Sequence, residues 1–335
     1  MGAAVSARGK RPADPTPETG RVLALCGGIG GAKLVLGLDA ALGAGGLTVI
    51  VNTGDDFEHL GLHVAPDLDT VLYTLAGLSD PARGWGRADE SWNFMGALRE
   101  LGGETWFALG DKDLAVHVER TRRLRAGETL TAIVADMARR LNVETRIVPM
   151  TDDAVRTIVH TPEGPMPFQH YFVRHACKPI VTSISFAGAS AARPNPVLLS
   201  AVVDPSLVAI VICPSNPYLS VDPILAVPGL REALQRATAP VIAVSPIIGG
   251  KAVKGPTAKI MKELGVAVTT REIYRHYHGL IDGLVIDEAD AADADRVDVK
   301  AVVSRTLMKS IDDKRNLARD VLAFAGRLAN ERETA

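Results

Sequence analysis

Apolar and polar positions along this chain repeat with two periods. Arg21–Cys26, RVLALC, is apolar from Val22 onward, and LTVIVN, starting at Leu47, repeats that pattern. Strands that are apolar on both faces belong to a parallel sheet covered by helices on each side. Between them, Ala32 to Leu42 carries apolar residues at helical spacing, which completes a β-α-β unit. The stretch DLDTVLYTLAGL predicts a further helix with Asp67 and Asp69 in its first turn, where carboxylates suit the positive helix end. A Gly/Pro turn at SDPARGWGR follows, then a helix from about Asp89.

From Asp111 to Leu141 the spacing predicts two or three helices, broken near RAGETL, with Thr129 placed to cap the second. TRIVPMTDD returns to strand character. VRTIVHTPEGPMPFQHYFVRH reads as a strand, a Pro/Gly turn and another strand or short helix. This poorer alternation places an inserted α+β subdomain at 114–184, between the halves of a Rossmann-like core at 21–113 and 185–335. The sheet pattern resumes in VAIVICPSNP, PVIAVSPIIGG and GLVIDEAD, and the amphipathic RNLARDVLAFAGRLA closes the chain. The fold class expected is therefore α/β, a mostly parallel sheet with helices on both faces and a smaller inserted subdomain.

Composition narrows the function classes. With 47% hydrophobic residues and a formal net charge of -2, the chain has no global field for nucleic acid. Cys26, Cys177 and Cys213 are scattered and odd in number, so they suggest buried thiols in a reducing compartment and not a disulfide framework. Residues 1–20 hold Arg8, Lys10, Arg11 and three prolines without an apolar segment, which reads as a disordered leader. No run of eighteen apolar residues calls for a bilayer. The expectation is a cytoplasmic protein with neither nucleic acid nor membrane as partner.

Candidate chemistry gathers where strands end. Gly27, Gly28, Gly30 and Gly31 follow the first strand and open a helix, an arrangement whose amides suit phosphate. Lys33 stands where a dinucleotide fingerprint has its third small residue, and no Gly-Lys-Ser/Thr follows, so neither standard motif is complete. After the second strand come Asp55 and Asp56, then Asp67 and Asp69; carboxylates from two neighbouring strand exits can hold magnesium and leave room for phosphate oxygens. Residues two apart on a helix diverge, so one of Asp67 and Asp69 joins the metal and the other serves the turn. His59 and His63 lie in the same segment, either as solvated loop residues or as groups that orient substrate. Ser215 and Asn216, between Pro214 and Pro217, are placed to read a base, ribose or phosphate. Gly250 and Lys251 are placed to close over an anion. Trp85 and Trp92 offer a wall for a planar ligand.

Taken in order, GGIGGAKL, VNTGDD, PDLDTVLYTLAG, GWGRADESW, LGDKDLAVH, TRIVPMTDD, SNP and APVIAVSPIIGGKAVKGP resemble the 2-phospho-L-lactate transferase family of coenzyme F420 biosynthesis, which includes bacterial phosphoenolpyruvate-type transferases. The resemblance runs from Arg21 to the end. It implies a Rossmann-like core bearing a smaller domain. It also implies a magnesium-dependent transferase that moves a phospholactyl, phosphoenolpyruvyl or phosphoglyceryl group from a guanosine diphosphate-linked donor to the ribityl hydroxyl of the deazaflavin precursor Fo, releasing GMP. On that resemblance Asp55 and Asp67 are the Mg2+ pair, with Asp56 and Asp69 as alternatives. Gly28, Gly30, Gly31, Lys33, Trp85 and Trp92 would surround phosphate or acceptor, and Ser215 and Asn216 the guanosine. A homodimer is expected on the same ground. The Gly-Trp-Gly segment is similar to the bacterial branch. Two other readings of the same residues are a nicotinamide-dependent oxidoreductase with an irregular Rossmann loop and a nucleotide-binding regulatory module.

Overall fold

The computed structural model describes residues 20–253 and 255–334, so the expected leader and Lys254 lie outside the described residues, Gly20 excepted. Seven parallel strands form the main sheet: β1 (Arg21–Cys26), β2 (Leu47–Val51), β3 (Arg146–Pro149), β4 (Leu207–Ile212), β5 (Val241–Val244), β6 (Gly283–Asp287) and β7 (Lys300–Ser304). Their order across the sheet is β7-β6-β5-β4-β1-β2-β3. The chain therefore builds outward from β1 in one direction, returns, and builds outward from β4 in the other, as doubly wound folds do.

Alternation along β1 explains its uninterrupted apolar sequence. Val22, Ala24 and Cys26 pack into one core while Leu23 and Leu25 pack into the other. The first core lies beneath helices α1 (Gly28–Leu42), α2 (Pro66–Leu75), α5 (Leu130–Arg140) and the C-terminal helix Ile311–Thr334. The second lies beneath the shorter helices between Pro196 and His276. Both faces of β1 are thus buried, which is what the parallel-sheet reading required.

The structure differs from the sequence reading in several places, among them the strand β7 and the Phe57–His59 and Leu62–Val64 hairpin, which that reading lacks. α1 starts at Gly28 and not Ala32, so the glycine loop runs directly into the helix. The helix expected from Asp89 is α3 (Asn93–Glu100); Asp89 has φ +53°, outside the helical region, and Asp111 caps the true start by accepting from the amides of Asn93 and Phe94. The span 114–184 is not one excursion. It contains the last turns of α4 (Asp111–Arg125), all of α5 and the edge strand β3, which pairs with β2 in the main sheet. Only the antiparallel trio Gly164–Pro167, Arg156–Thr161 and Ser183–Ala187 forms a sheet of its own there. β3 is short and follows two helices, so its pattern blends into its surroundings. Thr129 does cap α5, accepting from Ala132 N at 3.2 Å.

Candidate active site at the reversal of strand order

Strand order reverses between β1 and β4, and in open α/β sheets ligands bind in the crevice outside the carboxyl ends at that point. Here the crevice opens into a cavity of about 530 Å³. The loop after β1 forms its floor. Gly28 has φ +64°, a left-handed conformation that strains any side chain. Gly30 and Gly31 answer a different need: a Cβ at Gly30 would stand 2.5 Å from the Pro214 carbonyl oxygen, and one at Gly31 2.5 Å from Ser215 Oγ. The loop is pressed against the segment that leaves β4.

Ser215 stitches these two loops together. Its Oγ accepts from Gly27 N at 3.1 Å and donates to Gly27 O at 2.8 Å, both in buried surroundings. Ser215→Ala strands a buried N–H and a buried C=O, and is expected to lower stability by about 1–3 kcal/mol. Urea denaturation measures this, and an unchanged midpoint would show that the stitch contributes nothing.

The exit of β2 supplies the acidic wall, arranged around Asn52. Asn52 Nδ2 donates to Asp67 Oδ2 at 2.9 Å and to Asp55 Oδ1 at 3.3 Å, while its Oδ1 accepts from Gly54 N at 2.7 Å. Asp67 Oδ1 in turn accepts from Gly28 N at 2.6 Å, joining the start of α2 to the start of α1. One amide therefore gathers carboxylates from both sides of the Phe57–His59 and Leu62–Val64 hairpin. Asp67 and Asp69 do diverge: Asp69 turns away to a buried, doubly hydrogen-bonded pair with Arg120 of α4.

Four carboxylates line the cavity, Asp55, Asp67, Asp69 and Asp113, against Lys33 as the one lysine or arginine among the described lining residues. Burial, then the neighbouring Asp67 and Asp56, push Asp55 well above the usual carboxylate range. Burial likewise pushes Asp67 up to about 6, against the hydrogen bonds from Asn52 and Gly28. Each carboxylate therefore resists ionising where it stands. Hard oxygen donors with spare lone pairs fit magnesium.

Asp69, Asp113 and His117 form a second group, with ligand atoms within 4.8 Å of one another. Arg120 already engages two of its members. Arg120 can only donate, so its Nη1, 3.3 Å from His117 Nδ1, requires Nδ1 to be bare. Nε2 then carries the hydrogen and faces Asp113 Oδ2 at 3.4 Å.

Of the residues singled out from sequence, Gly27, Gly28, Gly30, Lys33, Asp55, Asp67, Asp69, Trp85, Ser215 and Asn216 all line the cavity. Lys33 Nζ also donates to Met308 O at 3.1 Å, tying α1 to the loop after β7. Asn216 Oδ1 caps the following turn through the amides of Tyr218 and Leu219, and its Nδ2 is buried with no partner among the described residues. The other positions lie outside the lining. Asp56 is buried with Oδ2 3.5 Å from His63 Nε2. His59 packs edge-on against Trp106, 5.1 Å between ring centres, and so supports a cavity wall from behind. Trp92 and Trp85 flank the guanidinium of Arg83 at 5.0 and 5.4 Å. Gly31 lies beneath the loop, and the Gly250 amide is taken by Asp290 Oδ1 at 3.2 Å; Gly250 and Lys251 are not lining residues, although Ile248 and Val253 on either side of them are.

Sequence reasoning missed Asn52, Tyr73, Asp113 and Gln169. Asn52 ends LTVIVN and Asp113 lies in LGDKDLAVH, so a polar residue at a strand or helix terminus was the available signal. Gln169 and Tyr73 had none, because their role depends on which segments meet in space.

The chain has counterparts among known proteins. The family model of 2-phospho-L-lactate transferase CofD matches residues 22–322. A phosphoenolpyruvate transferase of Kitasatospora aureofaciens is 41% identical over 315 residues, covering 91% of this chain and 98% of that protein. Another from Streptomyces coelicolor is 40% identical over 314 residues with the same coverage. In fold, the chain is similar to a UPF0052 family protein from Bacillus halodurans, with a TM-score of 0.58, 17% identity, and coverage of 90% and 98% of the two chains. Matched along nearly all of its described length, the chain belongs to the 2-phospho-L-lactate transferase CofD family.

Proposed function

We propose that this protein transfers a phosphoenolpyruvyl group from a guanosine diphosphate-linked donor to the ribityl hydroxyl of the deazaflavin precursor Fo and releases GMP, with Mg2+ held by Asp55 and Asp67. The observation that carries this reading is the pair of carboxylates gathered by Asn52 beside Gly28, at the reversal of strand order. The choice of phosphoenolpyruvyl follows the name of the relatives that share about 40% identity.

In chemical terms, the acceptor alcohol attacks the phosphorus that bears the organic acid. The bond from that phosphorus to the GMP phosphate oxygen breaks, GMP leaves with the electron pair, and the alcohol proton passes to solvent. Little covalent work falls to the protein in such a transfer; alignment and charge neutralisation dominate. Magnesium, when bound, would polarise phosphate oxygens and offset their charge. The amides of the first turn of α1, which have no partners within the helix, suit the donor phosphates, with Lys33 beside them. Asp67 acts on the same loop by holding Gly28 in place. A planar acceptor ring has apolar surface available between Trp85 and the wall made by Trp106, Phe107, Phe168 and Phe172.

The direct test pairs Fo with guanosine diphosphate-linked phosphoenolpyruvyl, phospholactyl and phosphoglyceryl donors, with and without Mg2+, and follows GMP by chromatography. The expected result is magnesium-dependent GMP release, fastest with the phosphoenolpyruvyl donor. No release with any donor overturns the proposal.

A further inference from the structure

The cavity has a second polar end, distinct from the Asp55 and Asp67 pair. α2 turns one stripe toward the cavity, Pro66, Asp67, Thr70 and Tyr73. Six positions separate Asp67 from Tyr73, about 9 Å along the helix axis. At that far end Tyr73 Oη donates to Asp113 Oδ1 at 2.6 Å, while His117 Nε2 stands 3.4 Å from Asp113 Oδ2. His117 is 1% exposed, and its Nε2 makes no hydrogen bond within the described residues. Asp113 itself keeps 13% of its side-chain surface open and lines the cavity.

The surroundings prepare this carboxylate for a ligand. Burial alone would raise its affinity for a proton, but the His117 contact, the Tyr73 hydrogen bond and the charge of Arg120 outweigh that and hold Asp113 below the ordinary carboxylate range. Arg120 spends its direct contacts on Asp69 and His117, so no lysine or arginine among the described residues pairs with Asp113. An ionised carboxylate without a cationic partner repels phosphate and accepts O–H or N–H groups.

We propose that Asp113 is the subsite for the uncharged, hydrogen-bond-donating part of a substrate, either a hydroxyl-bearing chain or the N–H edge of a base. Substrates then lie in one direction, with phosphate at the Gly28 end and donor groups at the Tyr73 end. Tyr73 and His117 are positioning residues for Asp113. The identity of the substrates rests on the transferase reading above.

Calorimetric titration of the wild type and of Asp113→Asn with Fo and, separately, with GMP tests this. Asp113→Asn keeps the side-chain shape and removes the charge. At least tenfold weaker Fo binding with GMP unchanged supports the subsite and assigns it to the acceptor's hydroxyls. The reverse pattern supports it and assigns it to the guanine edge. Equal affinities for both ligands in wild type and variant overturn it, as does a matched loss for both ligands accompanied by a lower melting temperature, which marks a structural role. Tyr73→Phe, which leaves the carboxylate in place with one donor fewer, should weaken the same ligand by a smaller factor. A wild type that binds neither ligand overturns the transferase reading, and the subsite with it.

Discussion

Asp55→Asn is expected to reduce the rate of GMP release by about 10²- to 10³-fold, the scale on which losing one preorganised charge-stabilising group is felt in a transition state, while the protein remains folded. The reason it stays folded lies in the electrostatics. Asp55 is buried among like charges, and Asn52 and Gln169 are its direct side-chain donors, the latter at 3.4 Å. Removing that charge costs little in the metal-free protein, because the native state already resists ionising it. The wild type should gain melting temperature on addition of Mg2+, since an ion that binds only the folded state stabilises by mass action. The variant should lose most of that gain. Full magnesium-dependent rate in Asp55→Asn would remove Asp55 from the proposed metal pair.

Asp67 gives the same idea a pH signature. Its folded pKa, about 6, lies above the value of 3.8 for an unperturbed carboxyl. Between those values the folded state keeps a proton that the unfolded state has released, so stability rises as pH falls from 7 through 6 toward 4. Measured without metal, and relative to Asp67→Asn, the wild type should gain at most about 3 kcal/mol over that range. Comparison with the variant is needed because other groups titrate alongside: His63, held near 3 by burial and by Arg120 and Arg156, loses stability over the same interval. A difference between the two proteins that is flat with pH would contradict the burial argument for Asp67.

Arg120→Met is expected to be the most destabilising of these substitutions, by about 3–5 kcal/mol, because it leaves the Asp69 carboxylate buried without its cation. Arg120 is 1% exposed and Asp69 5%, so water offers little relief to either. Urea denaturation of the single variants and of Arg120→Met combined with Asp69→Leu forms a cycle. The double variant should recover much of the loss, since the stranded charge goes with it. A double variant no more stable than Arg120→Met would mean that the cost came from lost packing of the long arginine side chain.

How much of this site was legible in the sequence differs residue by residue. Asp55, Asp67, Gly28 and Gly30 stood out because strand ends, helix starts and glycine turns each carry a local signature, and those residues do meet in one cavity. Lys251 and Gly250 showed an equally local signature, yet the turn that carries them is held by Asp290 instead. The difference is not written near either segment. It depends on where the 3-10 segment Glu288–Arg296 lies relative to that turn.

Apart from the edge strand β7 and the Phe57–His59 and Leu62–Val64 hairpin, the sequence by itself determined most of the strand and helix order, because apolar periodicity is a property of neighbouring residues and survives without knowledge of the fold. It also determined that carboxylates and glycines crowd the exits of the first two strands. The tertiary structure alone decided that β3 belongs to the main sheet, that Ser215 spends its hydroxyl on Gly27, and that one amide of Asn52 gathers Asp55 and Asp67. It alone linked Arg120, His117, Asp113 and Tyr73 in a chain of contacts, of which the last three line the cavity. These facts join segments far apart in the chain, and a buried polar group takes whichever partner packing places within reach, because leaving it unpaired costs more than any local preference can return.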